Sequence, residues 1–123
     1  MSELKLYNSL TRKEEFLKDL VPGEKIGLYV CGPTVYDISH IGHGRSAFTF
    51  EVMRRYLQFR GYEVTFVRNV TDVDDKIIDR ARKEGGDLKE AVRNVSERYL
   101  SLYHKDLARL GVTAPTEEPE SPA

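Results

Sequence analysis

The sequence is poor in cysteine and carries almost no net charge. Cys31 is the single cysteine among 123 residues, so no disulfide can form within the chain. A lone cysteine in such a chain is typically a small buried side chain. Lysine and arginine number 19 and aspartate and glutamate 20, which gives a formal net charge of -1. This balance excludes a general electrostatic attraction to nucleic acid or anionic lipid.

Long apolar runs and the familiar phosphate-binding loops are also missing. The N-terminus lacks the apolar segment of a signal peptide, and no stretch approaches the roughly 20 apolar residues of a membrane span. A cytoplasmic protein without membrane contact is therefore expected. Neither G-x-G-x-x-G nor G-x-x-x-x-G-K-[ST] occurs in the sequence. Their absence argues against the usual dinucleotide and P-loop solutions to phosphate binding.

What the sequence does contain predicts one modest α/β domain. Apolar residues make up 40% of the chain and charged residues 32%, as in ordinary globular proteins. Residues 25–32 and 63–70 have strand composition, and an apolar helical pattern over residues 43–60 lies between them. This order predicts a right-handed βαβ unit with parallel strands and a largely buried helix. Two further helices are predicted over residues 74–84 and 87–110.

The end of the chain differs in composition from the rest. Residues 113–123, TAPTEEPESPA, contain three prolines and three glutamates and no large apolar side chain. Such a segment cannot bury enough apolar surface to offset the entropy lost on ordering. We therefore predict a domain over residues 1–112 followed by a flexible acidic and proline-containing tail over residues 113–123.

The turn between the first strand and the first long helix has the most unusual composition. Residues 31–45 read CGPTVYDISHIGHGR and place two histidines and three glycines around the start of a helix. Unpaired backbone N–H groups and the helix dipole favour a phosphate there. His40 and His43 are three residues apart, a spacing that can aim both imidazoles at one anion. Alternatively, the histidines cap the helix or satisfy buried carbonyls.

The string His40-Ile41-Gly42-His43 is the HIGH signature of class I aminoacyl-tRNA synthetases, in its expected place after the first strand. The flanking segments, YVCGPTVYD over residues 29–37 and RNVTDVDDKI over residues 68–77, resemble the cysteine-tRNA ligase family in particular. The resemblance runs from about Lys5 to about Pro119. A related cysteine ligase of mycothiol synthesis shares this fold, but the DDKI run is more similar to the tRNA enzyme.

This resemblance implies a fold, a reaction and an ATP site. The fold would be the first half of a Rossmann-like (HUP-type) nucleotide-binding domain of a class I synthetase, with parallel strands followed by helices. The reaction would be activation of cysteine by ATP with Mg2+ and attachment of cysteine to tRNA(Cys). His40 and His43 would be catalytic, because they contact the triphosphate and stabilise transition-state charge. The matching ATP-binding positions are Thr34, His40, Gly42, His43 and Gly44.

The resemblance also implies a site for the amino acid. Cys31 matches a zinc ligand of the family, in which Zn2+ binds the substrate thiolate directly, and thiolates are good zinc ligands. The family's other zinc ligands are absent from this chain. Gly32 and Thr71 match positions at the substrate cysteine. From the residues alone, the alternative for Thr71 is a helix cap, and Asp72, Asp74 and Asp75 suit a helix start better than a metal cluster.

Several parts of the family pattern have no counterpart in the sequence. The lysine-bearing loop K-M-S-K-S, the second half of the sheet and the anticodon-binding helices do not occur. L-cysteine, ATP and tRNA(Cys) are therefore expected partners of a longer protein, together with the missing C-terminal half. We expect the chain alone to be inactive in aminoacylation. A stand-alone or split nucleotide-binding module is the alternative interpretation.

Overall fold

The computed structural model describes residues 3–120, which begin with a small hairpin that was not among the predicted elements. Strands β1 (Lys5–Asn8) and β2 (Lys13–Phe16) pair antiparallel, and a single helical turn, α1 (Leu17–Leu20), follows. The Asn8 side chain accepts a hydrogen bond from the backbone N–H of Leu10 at 3.0 Å. An asparagine that bonds its own turn is the local signal that identifies this hairpin in retrospect.

The predicted βαβ unit forms the centre of the structure. Strand β3 (Lys25–Val30) leads to helix α2 (Ile41–Phe59) and then to strand β4 (Glu63–Arg68). The two strands are parallel, with Ile26 opposite Val64 and Val30 opposite Arg68. The prediction of parallel strands is thus confirmed. Because parallel strands end at the same edge, the turns after β3 and β4 meet there.

Helix α2 is much less buried than its apolar content predicted. Its buried residues are Gly44, Ala47, Glu51 and Leu57. Phe48, Val52, Tyr56 and Phe59 follow one another at helical spacing and are 52%, 53%, 42% and 74% exposed. The prediction of a largely buried helix was therefore wrong, because a sheet of two strands covers only one side of α2.

Two helices pack together beside the strands. Helices α3 (Asp75–Glu84) and α4 (Leu88–Arg109) are capped by the side chains of Asp74 and Asp87, which accept backbone N–H groups of the first turn. Asp74 thus has the structural role expected of it. Among residues 3–120 no helix is both long enough and apolar enough to cross a membrane. The buried cluster between the two helices comprises Val35, Val70, Ile77, Ala81, Ala91, Val95 and Tyr99.

The segment after α4 is ordered against the sheet, in contrast to the predicted flexible tail. Arg68 N–H donates to the carbonyl of Glu117 at 3.1 Å, Val70 N–H donates to that of Pro119 at 2.9 Å, and single parallel bridges form there. Such pairing uses backbone groups, so proline- and glutamate-rich composition does not reveal it, and proline is tolerated at a sheet edge. Residues 121–123 lie outside the described residues. A domain boundary after residue 112 stays a prediction.

A buried carboxylate joins this segment to α2. Glu51 is only 3% exposed, and its Oε1 accepts hydrogen bonds from Thr113 Oγ1 at 2.7 Å and from Arg55 Nε at 2.9 Å. Burial alone would raise the pKa of Glu51, but the hydrogen bonds from Thr113 and Arg55 outweigh it and hold the pKa below its usual value. The charged form of Glu51 therefore stabilises the fold.

Replacing Thr113 by valine should test this connection. The Thr113→Val variant keeps the shape of the side chain but leaves Glu51 without one donor, so we expect the free energy of unfolding to fall by about 1–2 kcal/mol. Urea unfolding at pH 7 measures the loss. The control is Thr49→Val on the exposed surface of α2, whose hydroxyl bonds only its own helix. Equal losses in the two variants would contradict the role of Thr113.

The lowered pKa of Glu51 also predicts a pH dependence. A carboxyl with a depressed folded pKa contributes stability above its unfolded pKa, about 4.3 for glutamate, and loses that contribution as the pH falls through the folded value. Wild type should therefore exceed Glu51→Gln in stability at pH 7, and the difference should shrink as the pH falls toward 3. Urea unfolding of both proteins across this range measures it. A difference that does not change with pH would refute the assignment.

Candidate functional site

The turns that follow β3 and β4 are joined to each other by hydrogen bonds. Gly32 N–H donates to the side-chain oxygen of Asn69 at 2.9 Å, and Thr71 N–H donates to the carbonyl of Pro33 at 3.0 Å. A Cβ at Gly32 would lie 1.7 Å from the carbonyl oxygen of Asn69, so only glycine fits. Thr34 and Thr71 consequently form a parallel bridge. Three predicted site residues are thereby held side by side at the carboxyl edge of the sheet.

Two histidines cap the N-terminus of α2. His40 Nδ1 accepts from the Gly42 N–H at 3.1 Å, and His43 Nδ1 accepts from the His40 N–H at 3.1 Å. The two rings lie 4.0 Å apart between centroids. Because each Nδ1 is an acceptor, each neutral imidazole carries its proton on Nε2. Capping, the alternative interpretation of these histidines, therefore occurs and still leaves two Nε2–H donors.

Gly42 is required for this arrangement. A Cβ on Gly42 would come within 2.8 Å of His40 Cε1 and 2.9 Å of His40 Nδ1. The His40 ring could then not fold back over the first turn of α2. Glycine at this position thus allows the imidazole to cap the helix and keeps the backbone open to a ligand.

His43 is poised as a neutral donor. Burial lowers the pKa of His43 below its usual value, and the charge of His40 lowers it further. At neutral pH the ring is therefore uncharged and presents N–H from Nε2. A bound polyanion would favour the protonated form and shift the pKa upward again.

A cavity of about 480 Å3 lies between these histidines and the strand ends. It brings together six of the predicted site residues, Cys31, Gly32, Thr34, His40, Gly42 and His43. Gly44 is not on its wall, since this buried glycine faces Leu110 of the α4 C-terminus. Thr71 lies next to the site because its backbone forms a parallel β-bridge with Thr34. The further lining residues are Val30, Pro33, Ser46, Ala47, Phe50, Phe66, Arg68 and Tyr103.

Arg68 and Asn69 had no predicted role, although both stand in the segment that carries the resemblance. Asn69 is 6% exposed and joins the two strand ends, while Arg68 is 3% exposed and lines the cavity. Strand composition was the only local signal for this stretch. A buried arginine at a strand end is recognisable only once the cavity is known.

Cys31 differs from the expected small buried residue. Its side chain is exposed, and Sγ lies 3.7 Å from the Gly32 carbonyl oxygen. That interpretation of a lone cysteine was wrong, because Cys31 follows the last residue of β3 at the open edge of the sheet. Its thiol is accessible to a ligand in the cavity.

The residues present do not make up a zinc site by themselves. A catalytic Zn2+ takes three protein ligands, and residues 3–120 hold no group of three histidine, cysteine or acidic side chains placed to bind one ion. His40 and His43 use Nδ1 for the helix cap. Cys31 as a ligand to zinc therefore stays a prediction.

Comparison with known proteins identifies the class. The family described as tRNA synthetases class I (C), catalytic domain, matches residues 17–122, and the chain belongs to this family of ligases. The parallel β3–β4 pair and its helices are accordingly part of a Rossmann-like synthetase fold.

The individual relatives are named cysteine-tRNA ligases. The cysteine-tRNA ligase of Archaeoglobus fulgidus is 53% identical over 95% of this chain and 24% of its own length. Cysteine-tRNA ligase 1 of Photobacterium profundum is 51% identical over 96% of this chain and 24% of its own length. The cysteine-tRNA ligase of Coxiella burnetii is 51% identical over 96% of this chain and 25% of its own length. The chain thus spans about a quarter of these relatives and matches their N-terminal part.

The tautomer and pKa of His43 are directly measurable. We expect 15N NMR of the imidazoles to show unprotonated Nδ1 and protonated Nε2 in both His40 and His43. His43 should titrate below the ordinary histidine value of about 6.5, and a His40→Gln variant should raise its pKa part of the way back, since burial remains. A protonated Nδ1 on His43, or a pKa above the ordinary value, would contradict the capping geometry.

Proposed function

We propose that this chain carries the first half of the nucleotide-binding domain of a cysteine-tRNA ligase and binds ATP with Mg2+ at the N-terminus of α2. The observation that carries the proposal is the paired capping of His40 and His43, which leaves two Nε2–H donors beside a helix N-terminus and a cavity. N–H donors at the positive end of a helix dipole are suited to a phosphate chain. Adenine is then placed against the backbone at Gly42.

The proposed reaction needs positioning rather than a protein nucleophile. The carboxylate of cysteine attacks the α-phosphate of ATP, the bond from that phosphate to the bridging oxygen breaks, and pyrophosphate leaves. His40 and His43 hydrogen-bond the phosphate oxygens and stabilise charge that develops there. The further ATP-binding roles belong to Thr34, on the cavity wall, and Gly44, inside the first turn of α2.

The amino acid is proposed to lie at the strand end of the same cavity. Cys31 presents its thiol there, Gly32 forms the adjoining backbone, and Thr71 is held against Thr34 by backbone pairing. In the longer protein Cys31 would be one of several zinc ligands, and zinc would bind the substrate thiolate and favour it over a hydroxyl. Transfer to tRNA(Cys) and contacts with the C-terminal half belong to that longer protein, whose cytoplasmic location stays a prediction.

A second candidate is a nucleotide-binding module that docks onto a separate protein, as in a split enzyme. The observation that favours it is the exposed apolar side of α2, formed by Phe48, Val52, Tyr56 and Phe59. Such a surface is typical of an interface. Within the same family resemblance, the cysteine ligase of mycothiol synthesis remains an alternative to the tRNA ligase. The substrates of the two enzymes would distinguish them.

ATP binding can be tested on the chain itself by amide NMR. Titration with ATP and Mg2+ should shift the amides of residues 41–44, and adenosine without phosphates should shift them far less. A Gly42→Ala variant should weaken binding about tenfold, because the added Cβ displaces His40 and removes a donor.

The matched control for this experiment is Gly27→Ala in β3, where an added Cβ meets no atom within 4 Å. It should bind ATP like the wild type. Shifts of equal size with adenosine and ATP, or equal affinity of Gly42→Ala and wild type, would refute a phosphate site at this helix. Chain-alone pyrophosphate exchange driven by cysteine would refute the need for a C-terminal half.

A further inference from the structure

Arg68 is buried without enough hydrogen-bonding partners. Its side chain is 4% exposed, and neither Nε nor Nη1 has a hydrogen-bond partner. Nη2 lies 4.0 Å from Glu118 Oε2, which is an ion-pair distance but too long for a hydrogen bond. Buried charges normally have several partners, because desolvation is costly. The protein alone therefore leaves this guanidinium incompletely satisfied.

The position of the guanidinium is fixed by aromatic rings. Its central carbon lies 5.8 Å from the centroid of Phe66 and 5.6 Å from that of Tyr103, both of which line the same cavity as Arg68. These contacts stabilise a cation and restrict its movement. The backbone of Arg68 stands opposite Val30, the last residue of β3 before Cys31, and both side chains line the cavity.

The cavity favours an anion. Among the described residues on its wall there is no aspartate or glutamate, and Arg68 is the only arginine or lysine. Glu118 instead lines a second cavity, of about 270 Å3, which Arg68 also borders. One oxygen of Glu118 is already 2.6 Å from His104 Nε2. Arg68 thus divides the two cavities and leaves its positive charge only partly balanced.

We propose that Arg68 is a substrate-binding residue that holds the carboxylate of the amino acid beside the nucleotide. This inference rests on the proposed function, in which a carboxylate must approach a negatively charged phosphate chain. Two anions repel each other, and the guanidinium of Arg68 is the only arginine or lysine charge among the described residues on the cavity wall. A guanidinium pairs with a carboxylate through two parallel N–H groups, as a lysine cannot.

Two ligands that differ only in the carboxylate test the proposal. L-cysteine and cysteamine share the thiol and the amine, and each is titrated into the 123-residue chain under reducing conditions while amide NMR reports binding. Wild type should prefer L-cysteine about tenfold or more, as expected for one charge-assisted pair. Arg68→Met should remove the preference, and Arg68→Lys should restore part of it. Preference retained in Arg68→Met would overturn the proposal.

The matched control is Arg93→Met, which removes an exposed arginine of α4 that pairs with Glu97. Arg93→Met changes the net charge of the chain by the same amount as Arg68→Met. It should keep the wild-type preference for L-cysteine over cysteamine. Loss of preference in Arg93→Met to the same extent as in Arg68→Met would overturn the specific role of Arg68, since net charge alone would then explain the result.

A measurement on the wild type covers the case in which Arg68→Met does not fold. The buried Nε–H of Arg68 should shift with L-cysteine and not with cysteamine. A shift with ADP but none with L-cysteine would overturn the carboxylate assignment in favour of a phosphate. If ATP shifts residues 41–44 while L-cysteine leaves Arg68 unchanged, this inference fails and the proposed ATP site stands. If neither ligand has an effect, the proposed function fails as well.

Discussion

The pairing of the two strand ends is the constraint on which the site depends. Gly32 and Asn69 come so close that no side chain fits at residue 32, and the resulting bond aligns the turn after β3 with the turn after β4. The predicted site residues on the cavity wall take their positions from this junction or from the start of α2, while Phe66 of β4 and Tyr103 of α4 complete the wall. A substitution at Gly32 would therefore move Cys31, Thr34 and Thr71 together, although it touches none of their side chains.

The helix cap couples folding to recognition. His40 and His43 satisfy two N–H groups that a helix start leaves unpaired, and they do so with Nδ1 only. The same contacts that stabilise α2 thus fix which nitrogen of each ring faces a ligand. Serine or aspartate would cap the helix equally well, but neither would leave an N–H donor on the other side. Histidine is the residue type that serves both purposes.

The sequence predicted the elements that depend on local composition and missed those that depend on distant contacts. Strands β3 and β4 contain β-branched and aromatic residues, so the parallel pair was predictable. The site residues came from the resemblance around His40 and Cys31. The exposure of α2 depends on how many strands lie beneath it, which its own pattern does not contain. Arg68 became a candidate only when its neighbours Phe66, Tyr103 and Glu118 were located.

The segment after α4 explains why the two buried charges of the βαβ unit are tolerated. Thr113 donates to Glu51 on α2, and Glu118 provides the nearest carboxylate to Arg68 on β4. Each charge would otherwise lose hydration with little compensation. The polar composition that suggested disorder is therefore what this segment needs in order to pack here. Glu118 lies at an ion-pair distance from Nη2 of Arg68, whereas Nε and Nη1 have no hydrogen-bond partner, so the contact that stabilises the fold still leaves the guanidinium incompletely satisfied.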